Sequence, residues 1–397
     1  MKKIAYIGLA LLPLAALFSS YNKSSAVLAI NNRAAHPRFK VRVVPASGHK
    51  IKIALLLDTS NSMDGLIEQA KSQLWKLVNE LSAFKYNNET PELEIALYEY
   101  GNDGLDASEG YIRQVSVFTN DLDVISEKLF ALNTNGGSEF CGHVIRTSLK
   151  QLDWNNLDGN LQIIFIAGNE PFTQGNVSYQ TSCGMANEKS VYVNTIFCGS
   201  YDEGVTTEWK KGATLAGGSY MNIDQNQKTV YIESPYDDAI TALNDKLNAT
   251  YVYYGAYGVS KKEKQKEQDV NASYYSKSNT TERVVSKSSS FYKNSSWDMV
   301  DASDEKEFDI TKIKEENLPA ELKGKTTEYK IKYVETKKLE REAIKNEIKE
   351  LNKKRTAYIL EKQKLDAANN ISNSLDAVMV AAIKAQAAKK GFTKNTN

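Results

Sequence analysis

One carboxylate and two hydroxyls alternate at Asp58, Ser60 and Ser62, inside the segment IKIALLLDTSNSMDG that runs from Ile51 to Gly65. Alternation gathers these three side chains on one side of a tight loop. Hard oxygen donors of this kind suit Mg²⁺, Mn²⁺ or Ca²⁺ rather than zinc. A second chemistry is conceivable at Cys141 and His143, whose types could serve a nucleophile or a zinc ligand set. The blander reading of Cys141, Cys183 and Cys198 as small buried residues is the favoured one. An odd number of cysteines leaves at least one thiol outside any disulfide, and Cys183–Cys198 is the candidate pair. No Ser/His/Asp order, phosphate loop or metal-hydrolase motif is present, so the expectation is a protein that is not an enzyme.

The elements around the polar group explain how it would be held. The apolar run Ile51 to Leu57, closed by polar turn residues, predicts a strand covered on both faces. Leu66, Ala70, Leu74, Leu77, Val78 and Leu81 follow at helical spacing. The order is strand, loop, helix, and the loop lies where open α/β sheets place their ligands. Further strands are predicted over Leu93–Gly101, Tyr111–Phe118, Leu161–Ala167, Val191–Cys198 and Ser219–Ile223. Asp103 to Gly110 is too short for a helical crossover, which makes Tyr111–Phe118 an antiparallel edge strand. Helices are predicted over Asp121–Leu132 with Asn120 as cap, Phe140–Leu152, Ser178–Glu188 and Thr206–Leu215. Another opens at Ser234-Pro235, with Ser as N-cap. The fold class is α/β: a doubly wound, mostly parallel sheet with one antiparallel edge strand, followed by a long-helical C-terminal region.

Asp58-Thr59-Ser60-Asn61-Ser62 matches D-x-S-x-S, and residues 50–250 resemble the von Willebrand factor type A (VWA) domains. The resemblance implies a metal-ion-dependent adhesion site, in which Mg²⁺ or Mn²⁺, or else Ca²⁺, takes a carboxylate from a protein partner. Asp58, Ser60 and Ser62 carry over directly. Ser138, after Gly136-Gly137, stands for the family's Thr. The family's second Asp falls on Gly168, a departure that weakens the site, and Glu139, Asn169 or Glu170 are the substitutes within reach.

Charge is distributed unevenly along the chain. Residues 51–250 hold 13 Lys and Arg against 27 Asp and Glu, whereas residues 311–397 hold 20 against 12. An acidic globular part argues against nucleic acid as a partner. Lys2, Lys3 and the apolar run Ile4–Phe18 read as a signal peptide over residues 1–26, with an uncleaved membrane anchor as the alternative. Residues 27–49 read as a tether. Residues 251–310, rich in Ser and Lys, read as a disordered linker interrupted by an aromatic island at Phe291–Tyr292 and Trp297–Val300. Residues 311–397 read as helical or coiled-coil, with Arg355 and Lys362 breaking a thin apolar seam and only weak self-association.

These features describe an exported binding or assembly module of the periplasm, cell envelope or extracellular space. The runner-up is a structural coiled-coil envelope protein with a vestigial metal site. Export carries a direct expectation: N-terminal sequencing of protein made in its native host should show the first residues removed. A chain still beginning at Met1 and recovered from the cytoplasm would end that reading.

Overall fold

The sheet follows from strands that are apolar on both faces. β1 (Lys50–Asp58), β3 (Glu92–Tyr100) and β5 (Leu161–Gly168) form its centre. Along β1, Ile51, Ile53, Leu55 and Leu57 enter one core while Ala54 and Leu56 enter the other. The same alternation divides Leu93, Ile95 and Leu97 from Ala96, Tyr98 and Tyr100 in β3. A strand buried this way needs helices on both sides, and parallel crossovers supply them. The computed structural model describes residues 48–155, 159–226, 231–366 and 375–394. The expected signal segment 1–26 and residues 27–47 of the expected tether lie outside them.

The chain leaves β1 through α1 (Asp64–Ser82) and a short β2 (Phe84–Tyr86) before β3. β4 (Ile112–Thr119) returns antiparallel beside β3, as the short connection requires. α2 (Leu122–Phe130) and α3 (Cys141–Gln151) lead to β5, and α4 (Tyr179–Glu188) leads to β6 (Tyr192–Cys198). α5 (Tyr201–Thr206) and α6 (Trp209–Leu215) then reach β7 (Tyr220–Ile223), where one helix was expected. The sheet order is β4-β3-β1-β5-β6-β7, parallel except at β4. Two expected caps differ. Asp121, not Asn120, accepts from the amides of Asp123 and Val124 at the start of α2. α7 (Asp237–Asn248) begins three residues after Ser234, whose amide and hydroxyl both donate to Asp237.

Residues 251–310 are not a disordered linker. They form α8 (Gly258–Tyr275), α9 (Lys277–Ser288) and α10 (Met299–Ala302), within one compact unit that runs from Val44 to Asn397. Their composition is polar because the polar groups are used inside. Arg283 is fully buried, with Nη2 2.7 Å from Asp123 and Nε 2.9 Å from Asp269. Its guanidinium lies 4.3 Å from the Trp75 ring centroid and 5.0 Å from that of Tyr292. Lys287, also buried, meets Asp269 at 2.9 Å and Asn244 at 2.9 Å. Burial pushes the Lys287 ammonium down to about 8 against the pull of Asp269. The aromatic island packs into the same interior, where Trp297 stacks on Tyr251 at 5.8 Å.

The C-terminal region is helical as expected, but the seams of its two long helices serve the chain itself. α11 (Thr327–Asp366) buries Val334, Arg341, Ile348 and Arg355 at intervals of seven residues. The seam is therefore continuous through its arginines rather than broken by Arg355. Arg341 donates to Asp298 at 2.6 Å and Asp301 at 2.7 Å, and its guanidinium lies 4.0 Å from the Tyr251 ring centroid. Arg355 donates to Asp237 at 2.7 Å, Glu282 at 2.7 Å and Ser278 at 2.9 Å. α12 (Leu375–Lys389) covers the sheet beside α1 with Leu375, Met379, Val380 and Ile383. Gln386 and Asn194 of β6 exchange two buried side-chain hydrogen bonds, at 2.6 and 3.1 Å. Burying four large apolar side chains contributes roughly 6–12 kcal/mol, a sum comparable with the net stability of a domain. β8 (Phe392–Lys394) finally pairs with β2, more than three hundred residues upstream.

All three cysteines are free and buried, so the candidate Cys183–Cys198 disulfide is not formed. Cys183 lies in the core on one face of the sheet and Cys198 in the core on the other. The two arginines of α11 give a testable consequence. Arg355→Ala strands the buried carboxylate of Asp237 and should cost about 3–5 kcal/mol in urea unfolding. Arg355→Ala combined with Asp237→Ala should cost less than the single change. A single-mutant cost below about 1 kcal/mol would mean that α11 is held in some other way.

Candidate functional site

The strand register brings the candidate residues to one edge of the sheet. Asp58 ends β1 opposite Tyr100 of β3, and the following Thr59 amide donates to the Tyr100 carbonyl at 2.9 Å. Asp58 is fully buried, and its Oδ1 accepts from the Ser60 amide at 2.7 Å. The Ser60 and Ser62 hydroxyls lie 3.2 Å apart, and Ser62 donates to Asn169 Oδ1 at 3.3 Å. Asp58, Ser60, Ser62 and Asn169 are thus gathered in one group, as the D-x-S-x-S spacing suggests.

Glu139 joins this group, and Ser138 does not hydrogen-bond to it. The loop before α3 crosses the strand ends, and Asn135 donates its amide to the Thr59 carbonyl at 2.9 Å. That places the buried Glu139 side chain beside Asp58. A Cβ added at Gly101 would come within 2.7 Å of Glu139 Cγ and 2.8 Å of Asp58 Oδ1. Gly101 also has φ +78°, so only glycine suits both the backbone and the space. Glu170 lies close enough to raise the Glu139 carboxyl by charge, while its backbone carbonyl accepts from Trp209 Nε1 at 2.8 Å.

Asp58 Oδ2 and Glu139 Oε2 are buried without a hydrogen-bond partner. Burial, and then the neighbouring Glu139 charge, push the Asp58 carboxyl well up. Burial likewise raises Glu139. Without a cation, one proton held between the two carboxyls relieves their repulsion. With one, both oxygens would be available as ligands. Two carboxylates, two hydroxyls and an amide oxygen form a donor set that fits a hard divalent ion. Among the described residues, no group of three or more His, Cys, Asp or Glu side chains meets metal-ligand geometry. Serine and asparagine oxygens would therefore complete any coordination here.

The departure at Gly168 has a structural cause. A Cβ there would stand 2.6 Å from Tyr100 Oη and 3.0 Å from Asp58 Oδ2. The Tyr100 hydroxyl, fully buried, fills that space and donates to the Ala167 carbonyl at 3.0 Å. Gly168 and Tyr100 are thus a matched pair. Cys141 Sγ lies 3.8 Å from the same hydroxyl, and burial pushes its thiol well up. Its setting is that of a small packed core residue. His143 stands apart, against Gly110, where burial lowers its imidazole.

The fold is doubly wound α/β, as expected. The parallel sheet, its one antiparallel edge strand and the hydroxyl-lined loop after β1 agree with the expected architecture. No protein-family model and no curated protein matches the chain. Among solved structures, BatB from Bacteroides thetaiotaomicron is 14% identical over 44% of this chain and 90% of its own, with a TM-score of 0.34. The VWA domain of SpRpn10 is 15% identical over 46% of this chain and 99% of its own, also at 0.34. A mussel byssus matrix protein with a zinc-occupied metal-ion-dependent adhesion site is 11% identical, covering 44% of this chain and 41% of its own, at 0.33. Each likeness spans less than half of this chain.

Sequence reasoning named Glu139 only as a substitute and missed Tyr100 and Gly101. A Tyr-Gly pair ending a strand next to the loop strand was the available signal. Gly168→Asp, which would restore the VWA pattern, should lower the thermal midpoint because its Cβ meets the Tyr100 hydroxyl. Tyr100→Phe should relieve part of that loss in the double variant. Equal losses with and without the hydroxyl would show that the two residues are not coupled.

Proposed function

We propose that the protein is an exported binding module that holds Mg²⁺ or Mn²⁺, or alternatively Ca²⁺, between Asp58 and Glu139 and presents it to a partner's carboxylate. The observation that carries this reading is the pair of buried, unpartnered carboxylate oxygens at the carboxyl end of the sheet. Burial of two like charges side by side is costly unless a proton or a cation lies between them. Ser60, Ser62 and Asn169 would complete the donor set, and the bound ion would supply a Lewis-acidic position for the incoming carboxylate. The role proposed for the pair is binding rather than catalysis. Export rests on the N-terminal sequence pattern alone. A second reading, a scaffold whose metal site is vestigial, is favoured by the Tyr100 hydroxyl in the space beside Gly168.

The ion gives a pH-dependent signature. Both carboxyls are raised in the folded, cation-free protein, so the folded state holds protons more tightly than the unfolded one. Stability then falls as pH rises from the ordinary carboxyl range, about 4, towards the raised values. A cation removes that loss. The gain in thermal midpoint on adding millimolar Mn²⁺ or Mg²⁺ should therefore grow from about pH 5 to about pH 8. At an ion concentration a hundred times Kd the gain is about 2.7 kcal/mol. Asp58→Asn should abolish it without lowering the midpoint in chelator. Identical wild-type midpoints in chelator and in ion at every pH would favour the vestigial reading.

A further inference from the structure

Among the described residues, the loop segments that surround the carboxylate pair contain no basic residue. Residues 59–66, 101–111, 131–140, 169–178, 199–208 and 224–226 hold no Lys or Arg, in a chain whose residues are 25% charged. All of them lie at the carboxyl edge of the sheet or in the loop that crosses it. Exposed carboxylates at Asp64, Asp103, Glu109, Asp202, Glu203 and Asp224 ring the site instead. At the centre are the two buried oxygens without partners, Asp58 Oδ2 and Glu139 Oε2. Basic side chains touch these segments from neighbouring helices: Lys71 Nζ lies 3.3 Å from the Leu132 carbonyl, Lys210 Nζ 3.1 Å from the Tyr201 hydroxyl and Lys211 Nζ 2.8 Å from Glu208. Arg113 is on β4, where it pairs with Glu99.

This distribution constrains what can approach. A divalent ion neutralises Asp58 and Glu139 but leaves the rim negative. A partner carboxylate arriving alone is attracted by the ion at short range and repelled by the rim at longer range. Basic groups beside that carboxylate reverse the long-range term, and the rim then steers the partner and rejects acidic surfaces. We infer that the partner is a polypeptide whose coordinating carboxylate is flanked by Lys or Arg. This inference rests on the cation reading above. The rim selects the partner, and the ion fixes its register.

The test uses the full chain and three polymer probes. These are a lysine–aspartate copolymer rich in lysine, poly-lysine and poly-glutamate, each in Mn²⁺ and in chelator. The copolymer should bind at least tenfold more tightly in Mn²⁺ than in chelator, and its affinity should fall steeply with salt. Poly-lysine should bind equally in both, and poly-glutamate in neither. Replacing Asp103, Glu109, Asp202 and Asp224 by their amides should weaken copolymer binding at least tenfold. The same replacement at Glu328, Glu335, Glu342 and Glu347, exposed on α11, should change it less than twofold. The Mn²⁺-induced rise in thermal midpoint should persist in the rim variant. Poly-glutamate bound in Mn²⁺ as tightly as the copolymer would overturn the inference, as would equal losses from the rim and α11 variants. So would failure of the copolymer to bind while the midpoint still rises. A midpoint unmoved by Mn²⁺ would overturn the cation reading itself.

Discussion

A guanidinium keeps its charge at any physiological pH, so an arginine buried in a protein needs its carboxylates there too. Three such arginines organise this chain. Arg283 joins α9 to Asp123 of α2 and Asp269 of α8. Arg341 joins α11 to Asp298 and Asp301, and Arg355 joins it to Asp237 and Glu282. Each connects segments far apart in sequence, and none would be worth much on a surface. Burial makes them decisive, because separating any pair leaves an uncompensated charge. The region after the sheet is consequently part of the domain rather than an appendage to it.

The sheet depends on that addition. Its face beside α1 is apolar along the strands, and α12 supplies the side chains that cover it. The long α11 carries the chain away from α7 and α9, and α12 lies on the sheet beside α1. The Asn194–Gln386 exchange shows how specific the fit is, since two buried amides satisfy one another across it. The opposite face is closed by α3, α4 and α6 around Phe172 and Trp209, as an ordinary crossover architecture would do.

The candidate site is a local exception to this pairing. Elsewhere among the described residues, buried carboxylates meet arginine, lysine or hydroxyl partners. Asp58 and Glu139 meet each other. Gly101 leaves the space between them open, and Gly168 leaves room for the Tyr100 hydroxyl beneath. Exposed carboxylates at Asp64, Asp103, Glu109, Asp202, Glu203 and Asp224 keep the surroundings of the pair acidic.

The fold class was legible because hydrophobic period and turn chemistry are local. The doubly covered strand ending at Asp58, the antiparallel return at Tyr111–Phe118 and the two long C-terminal helices follow from spacing within short windows. The D-x-S-x-S group was legible for the same reason. Tertiary structure decided what depends on partners distant in sequence. Residues 251–310 look disordered because they are rich in Lys, Ser and Asp, yet Asp269, Arg283, Lys287 and Asp298 among them are consumed in buried ion pairs whose partners lie outside any short window. Arg355 looks like a break in a helical seam because Asp237 and Glu282 are out of sight. Glu139 becomes the second carboxylate, in place of an Asp at 168, only because the loop before α3 crosses the end of β1. The free cysteines follow from strand direction and helix placement, which put Cys183 and Cys198 on opposite faces. Local spacing specified the elements and one half of the site. Contacts between distant charges specified how many of those elements form the domain, and which carboxylate completes the site.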